Sequence, residues 1–233
     1  MNRPANPGPE AQGPVNPLPL TVVLLVAIMA IVEGAFTLGA RGLIGGPEAV
    51  GWRAAAIQDY GFSNRAIGWM LENGVLRADY LIRFVTYPFV HASFTQMIFA
   101  AVLTLALGKF VGERMPQWSV LVLFFASAIL GALTFALVVP DGPGLVGAFP
   151  GVYGLIGGFT CLLWLRLGEV GAPQYRAFSL IGLLLALQLV FGLFFGSGLM
   201  WVADLAGFVC GFLVSFLLVP GGWARLRAKI RHR

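Results

Sequence analysis

The chain has 233 residues, of which 58% are hydrophobic and 11% charged, with a net charge of +5. Ordinary globular domains carry roughly 25% charged residues, so a water-soluble fold could not hide this much apolar surface and lipid must be its solvent. The positive balance does not point to nucleic acid. Arg225, Arg227, Lys229, Arg231 and Arg233 follow directly on an apolar run, which is the pattern of a cytoplasmic juxtamembrane tail and not of a groove-tracking patch.

Residues 1–19 are rich in Pro, Gly and Asn and read as a disordered tail. The apolar run that follows could pass for a signal-peptide core, but its leader is long and Pro-rich and no convincing small-x-small cleavage site follows it. An uncleaved first span over Leu18–Leu38 is expected. Residues 39–88 break the apolar pattern. They interleave Arg41, Arg53, Arg65, Arg77 and Arg83 with Glu48, Asp59, Glu72 and Asp79, and with Trp52, Tyr60, Phe62, Trp69 and Tyr80. Mixed charge with regularly placed rings suits an ordered first loop at the membrane–water interface.

Five more apolar runs follow, over Phe89–Leu107, Trp118–Val139, Leu145–Leu165, Phe178–Phe195 and Leu199–Val219. Each is long enough to cross about 30 Å of hydrocarbon at about 1.5 Å per residue. The sequence therefore predicts an all-α membrane protein with six transmembrane helices over 20–220 and a basic tail over 221–233. Six spans put both termini on one side. Lys109, Arg114, Arg166, Arg176 and the tail then share that side, which is expected to be the cytoplasmic face of a bacterial inner membrane. Cys161 and Cys210 lie inside apolar runs and read as packing residues, with no disulfide framework. No metal or cofactor site is expected. Small residues crowd the later spans, and Gly207-x-x-x-Gly211 matches the small-xxx-small pattern of close helix contacts.

Several features now fall in order. Arg83, Thr86 and His91 stand at the head of the second span, and Gly108 and Glu113 at its end. Gly147-Ala148-Phe149-Pro150-Gly151-Val152-Tyr153-Gly154 opens the fourth. Ala203-Asp204-Leu205-Ala206-Gly207, leading to Gly211, lies in the sixth. Over roughly residues 20–220 the chain resembles the rhomboid family of intramembrane serine proteases and their inactive relatives. The resemblance implies a nucleophilic serine at the head of the fourth helix and a histidine base on the sixth. It also implies two polar side chains on the second helix that help to bind the oxyanion.

At these positions the chain departs from the family. The serine position, anchored by Val152-Tyr153-Gly154, holds Phe149, and the glycine after it is Pro150. The base position, anchored by Gly207 and Gly211, holds Asp204. The second-helix pattern reads His91, Gln96, Ala100. Phe149 has no nucleophilic atom, and a base with nothing to activate performs no acyl transfer. Ala100 offers no side-chain donor and Pro150 no N–H, so oxyanion stabilisation is also stripped. Cys161 and Cys210 are too far along their helices to substitute. The catalytic site is expected to be degenerate, at Phe149, Asp204, Gln96 and Ala100.

An ionisable group inside a span costs about 2.5–3.5 kcal/mol on insertion scales and is a functional candidate by default. For Asp204 the plainer alternative is a carboxylate near the outer end of its span, hydrated or bonded to Gln96 or a backbone N–H. For Glu33 a hydrated carboxylate is expected. Pro150 suits the first turn of a helix. Arg83, His91, Glu113, Gly207 and Gly211 are expected to be structural, with Arg83 bonding loop carbonyls. Gln96, Phe149 and Asp204 are the candidate binding residues.

The resemblance then implies an inactive rhomboid-like pseudoprotease that binds transmembrane helices of other proteins, as a subunit or assembly factor of a larger membrane complex. The docking surface would lie by the fifth span, where Phe178, Phe191, Phe194 and Phe195 alternate with Gly182, Gly192 and Gly196. Two rivals stand beside it. One is a serine protease with another arrangement, drawing on Ser93 or Ser197. The other is a proton-linked transporter using Glu33 and Asp204, although no inverted repeat is evident.

Overall fold

The computed structural model describes residues 17–195 and 199–219. Most of the expected N-terminal tail, Gly196, Ser197 and the basic C-terminal tail lie outside the described residues, as do the side chains of Phe191, Phe194 and Phe195. Among the described residues the chain is all-helical. The helices are α1 (Leu20–Ala40), α2 (Trp52–Tyr60), α3 (Asn64–Asn73), α4 (Ala78–Leu81), α5 (Arg83–Thr86) and α6 (Phe94–Gly112). After them come α7 (Trp118–Val138), α8 (Phe149–Glu169), α9 (Ser179–Phe195) and α10 (Trp201–Leu218). Short 3-10 turns at Pro47–Gly51, Tyr87–Phe89 and Gln174–Phe178 join some of them.

Five helices, α1, α6, α7, α8 and α10, are long and apolar enough to cross a membrane, and the protein is an integral membrane protein. Their outward faces carry residues such as Leu24, Ile31, Phe99, Leu137 and Leu217, which are exposed in the protein and meet lipid instead. α9 is as apolar but has 17 residues, roughly 25 Å of helix.

The second and fourth spans start a full helical turn or more later than the apolar runs indicate. Phe89, where the second was expected to begin, closes a 3-10 turn; α6 starts at Phe94, behind Ser93, whose Oγ accepts the Gln96 N–H at 3.1 Å. Leu145, the expected start of the fourth, instead exchanges backbone hydrogen bonds of 2.9 Å with Phe62, forming one antiparallel bridge. Gly147 then takes φ +93°, and α8 begins at Phe149. Hydrophobicity alone does not separate a residue buried in such a turn from one in a span.

The segment between α1 and α6 is folded against the bundle. Phe62, Ile67, Met70 and Tyr87 pack with Ala128, Ala132 and Phe135 of α7, and the Tyr87 hydroxyl donates to the Ala128 carbonyl at 2.8 Å. Phe62 and Phe84 meet edge to face with centroids 4.9 Å apart. The Asn64 amide donates to the Val139 carbonyl at 2.6 Å.

At the centre, α7, α8 and α10 approach through glycine. A methyl group at Gly207 would strike the Pro150 carbonyl, one at Gly211 the Gly154 carbonyl, and one at Gly157 the Phe208 carbonyl. These partners advance together along both helices, so α8 and α10 run parallel, backbone against backbone. On the opposite face of α8, Gly151 meets the Phe124 ring and Gly154 meets Ser127. Gly131 of α7 leaves only 2.6 Å between a would-be Cβ and the Ala203 carbonyl. Without a hydrophobic drive between helices in lipid, such approach supplies the cohesion through van der Waals packing.

Candidate functional site

The Pro150–Gly207 contact brings the head of α8 and the head of α10 to the same end of the bundle. Phe149 is the first residue of α8 and partly buried against the core, and Pro150 follows in the first turn, where its missing N–H costs no hydrogen bond. Ala100 is fully buried on α6. Asp204 sits in the first turn of α10, 5% exposed, on the same inward stripe as Gly207, Phe208 and Gly211. The helix N-terminus favours a carboxylate there, by about 0.3–1 kcal/mol and up to about 2 where partly buried. That is less than the insertion cost of an acid, so the dipole alone does not account for a buried Asp204.

The partner of Asp204 is not Gln96. Gln96 turns the other way: its Oε1 accepts the Ala92 N–H at 2.7 Å, and its Nε2 donates to the Val146 carbonyl at 3.2 Å. It thereby ties the start of α6 to the segment before α8. Gly147 makes room for it, since a Cβ there would lie 2.6 Å from Nε2. The Asp204 carboxyl group is 5% exposed and its described hydrogen bond is to a side chain. Its Oδ2 accepts from Gln188 Nε2 of α9 at 2.7 Å. Gln188 was legible as the one strongly polar side chain of the fifth apolar run, but the family pattern drew attention to α6 instead.

Glu33 likewise overturns its expectation. It is 1% exposed, and the guanidinium of Arg53 grips it from α2, Nη2 donating to Oε1 at 2.6 Å and Nη1 to Oε2 at 2.8 Å. Thr37 Oγ1 adds a bond of 3.0 Å, and Arg53 also donates to the His91 carbonyl at 2.8 Å. The hydrogen bonds to Glu33 raise the pKa of Arg53 further above its ordinary value. A bidentate, charge-assisted pair is the strong form of an ion pair. It ties α1, α2 and the approach to α6 together. An acid inside a predicted span was the signal that a cation had to come to it, but nothing in the spacing said which of five arginines would.

His91 is 1% exposed, and neither ring nitrogen reaches a hydrogen-bond partner at good geometry. Burial lowers its pKa to about 4, although the Glu33 charge and the Phe89 backbone pull the other way. Tyr87, fully buried behind it in sequence, is held well above the usual phenol range by burial and then by the Asp204 charge. Arg83 lies at 3.4 Å from the Gly61 carbonyl, with its guanidinium over the Tyr80 ring. Glu113 stands at the end of α6 between Lys109 and Arg114, each 3.9 Å away.

Among the described residues no serine is hydrogen-bonded to a histidine. Ser63 and Ser93 cap α3 and α6, Ser215 donates to the Gly211 carbonyl at 2.6 Å, and Ser119 and Ser127 are buried. Cys161 and Cys210 are free and buried. Among the described residues the heads of α8 and α10 thus meet in a mostly apolar junction, in which Asp204 is bonded to Gln188 of α9.

Comparison with models of protein families gives a match to the Rhomboid domain over residues 78–221, more than half of the chain. None of the curated proteins compared matches it.

Proposed function

This chain belongs to the rhomboid family, and we propose that it is a member without protease activity that binds transmembrane helices of partner proteins, as a subunit or assembly factor of a larger membrane complex. The observation that carries the reading is the residue at the head of α8: where the family's chemistry requires a hydroxyl, Phe149 carries none. Its ring is partly buried against the core. Asp204 holds the place of the base and is engaged by Gln188. Ala100 has no donor to give an oxyanion and Pro150 no N–H, which removes the term that usually contributes most to acyl transfer.

In this reading α9 is the fifth of six spans, the segment of short helices between α1 and α6 lies at the outer membrane interface, and both termini are cytoplasmic. A bacterial inner membrane is the place that fits the basic tail. The helix-binding part of the proposal is by analogy with inactive relatives. It is supported by the way α9 attaches. Among the described side chains, α9 rests on the core through Leu180, Ile181, Leu184 and Leu185 and the amide of Gln188, while Leu183, Leu187 and Val190 face outward and exposed.

Incubation of the purified protein with a rhomboid substrate and with a fluorophosphonate probe tests the chemistry. No cleavage and no labelling are expected. Labelling that disappears on Ser93→Ala would overturn the reading. Purification from native membranes with mass spectrometry of co-eluting proteins tests the rest: a protein that emerges alone and monomeric is not a complex subunit.

A further inference from the structure

Glu33 and Asp204, the two buried acids among the described residues of the transmembrane helices, are treated differently. Glu33 has a guanidinium against both of its oxygens. Asp204, 5% exposed, faces no cation among the described residues; it meets the neutral Gln188 amide and lies near the Tyr87 and Tyr153 phenols. The amide has two ends. Nε2 is turned toward Asp204, which accepts only when ionised, and Oε1 is left over. That oxygen is buried and accepts no hydrogen bond. A carboxylate without a counter-charge and an amide oxygen without a donor therefore share one spot between α9 and α10.

Gln188 is also aimed there. It continues the stripe of Ile181, Leu184 and Leu185, three, four and seven positions apart, which packs against the core. Both unmet groups are acceptors. What they lack is a donor with positive charge, and the apolar surroundings require that it arrive on something already at home in hydrocarbon.

We infer that Asp204 and Gln188 form the recognition element for a partner transmembrane helix that carries a lysine or arginine. The cationic head is received between the Asp204 carboxylate and Gln188 Oε1, at the depth of the first turn of α10. A basic residue in a span bears its own insertion cost, so the match is reciprocal: each helix supplies what the other must otherwise carry unpaired. The inference rests on the helix-binding reading above and adds to it the chemistry by which a partner is chosen.

The test uses the intact protein in nanodiscs of zwitterionic lipid, where surface charge cannot attract the probe. The probes are fluorescent Leu/Ala helices of about 24 residues, with Lys, Arg, Gln, Leu or Glu about one turn inside the end that aligns with the head of α10. Binding is read by energy transfer. The Lys and Arg helices are expected to bind at least about ten-fold more tightly than the Leu helix, and the Glu helix most weakly. Asp204→Asn is expected to erase the preference, and Gln188→Leu to reduce it. Asp204→Glu keeps the charge and should keep the preference, so the matter is decided even if the Asn variant folds poorly. Equal binding of Lys and Leu helices, or a preference that persists in Asp204→Asn, overturns the inference but leaves helix binding standing. If none of the helices binds and the protein emerges alone from native membranes, the helix-binding reading fails, and this inference with it.

Discussion

α10 and α9 are neighbours in sequence and both rest on the same core, yet they are held in different ways. α10 lies on α8 with backbone against backbone: Gly207 admits the Pro150 carbonyl and Gly211 the Gly154 carbonyl, and α7 closes the third side through Gly131. Among its described side chains, α9 reaches the core with a short stripe of aliphatics and one amide bonded to Asp204. In the first case nothing larger than hydrogen fits. In the second an aliphatic stripe can be exchanged for another helix's aliphatic stripe, because lipid, protein and partner are equally apolar there. The trio of α7, α8 and α10 reads as the part that keeps the fold, and α9 as the part that can give way.

Substitutions can break this contrast, beginning with the largest expected effect. Gly211→Leu puts a branched side chain where the Gly154 carbonyl lies. Helix separation is the only relief, and no monodisperse protein should be recovered in detergent, whereas Gly182→Leu on α9, with open space around it, should yield protein at the normal level. Arg53→Ala is next. It strands the buried Glu33 carboxylate, a change that typically costs about 3–5 kcal/mol. Reversible unfolding in mixed micelles should show it, and Arg53→Ala with Glu33→Leu should recover much of the loss.

A pH effect follows in size. The His91 ring is held at about 4 in the folded protein, below its ordinary value of about 6.5. The unfolded chain therefore binds the proton more tightly. The stability this reflects is complete above about pH 6.5 and is lost progressively as the pH falls toward 4, by at most roughly 3 kcal/mol. His91→Gln should flatten the decline, and an unchanged profile would remove His91 as its cause. The smallest effect belongs to Gln188→Leu. Polar contacts between helices in lipid average about 0.6 kcal/mol, so overall stability should barely change while α9 loses its bond to Asp204.

The sequence shows some of this plainly. The apolar runs place the long helices, and the spacing of Gly207 and Gly211 announces a close contact, although not that its other side is the carbonyls of Pro150 and Gly154. That information lies in how two helices are set in register, which no local pattern carries. Glu33 shows why buried acids are hard to read: its partner Arg53 is twenty positions away across a turn, and each residue alone looks like an interfacial charge. Gln96 was legible as polar and misplaced as a partner. Its position on the family pattern pointed toward Asp204, but the positive φ of Gly147 opens a nearer carbonyl on the opposite side. Leu145 is apolar because it is buried and Phe89 because it packs against the core, not because they span.

The separability of α9 from the glycine-packed trio is open to direct measurement by pulsed electron paramagnetic resonance in nanodiscs, with spin labels on outward-facing positions. One pair joins α7 and α10, at Leu137 and Leu213; the other joins α7 and α9, at Leu137 and Leu183. The account predicts a single narrow distance for the first pair, unchanged by Gln188→Leu, and for the second a distribution that broadens toward longer distances when Gln188 is replaced. Two narrow distributions, both indifferent to Gln188→Leu, would contradict it.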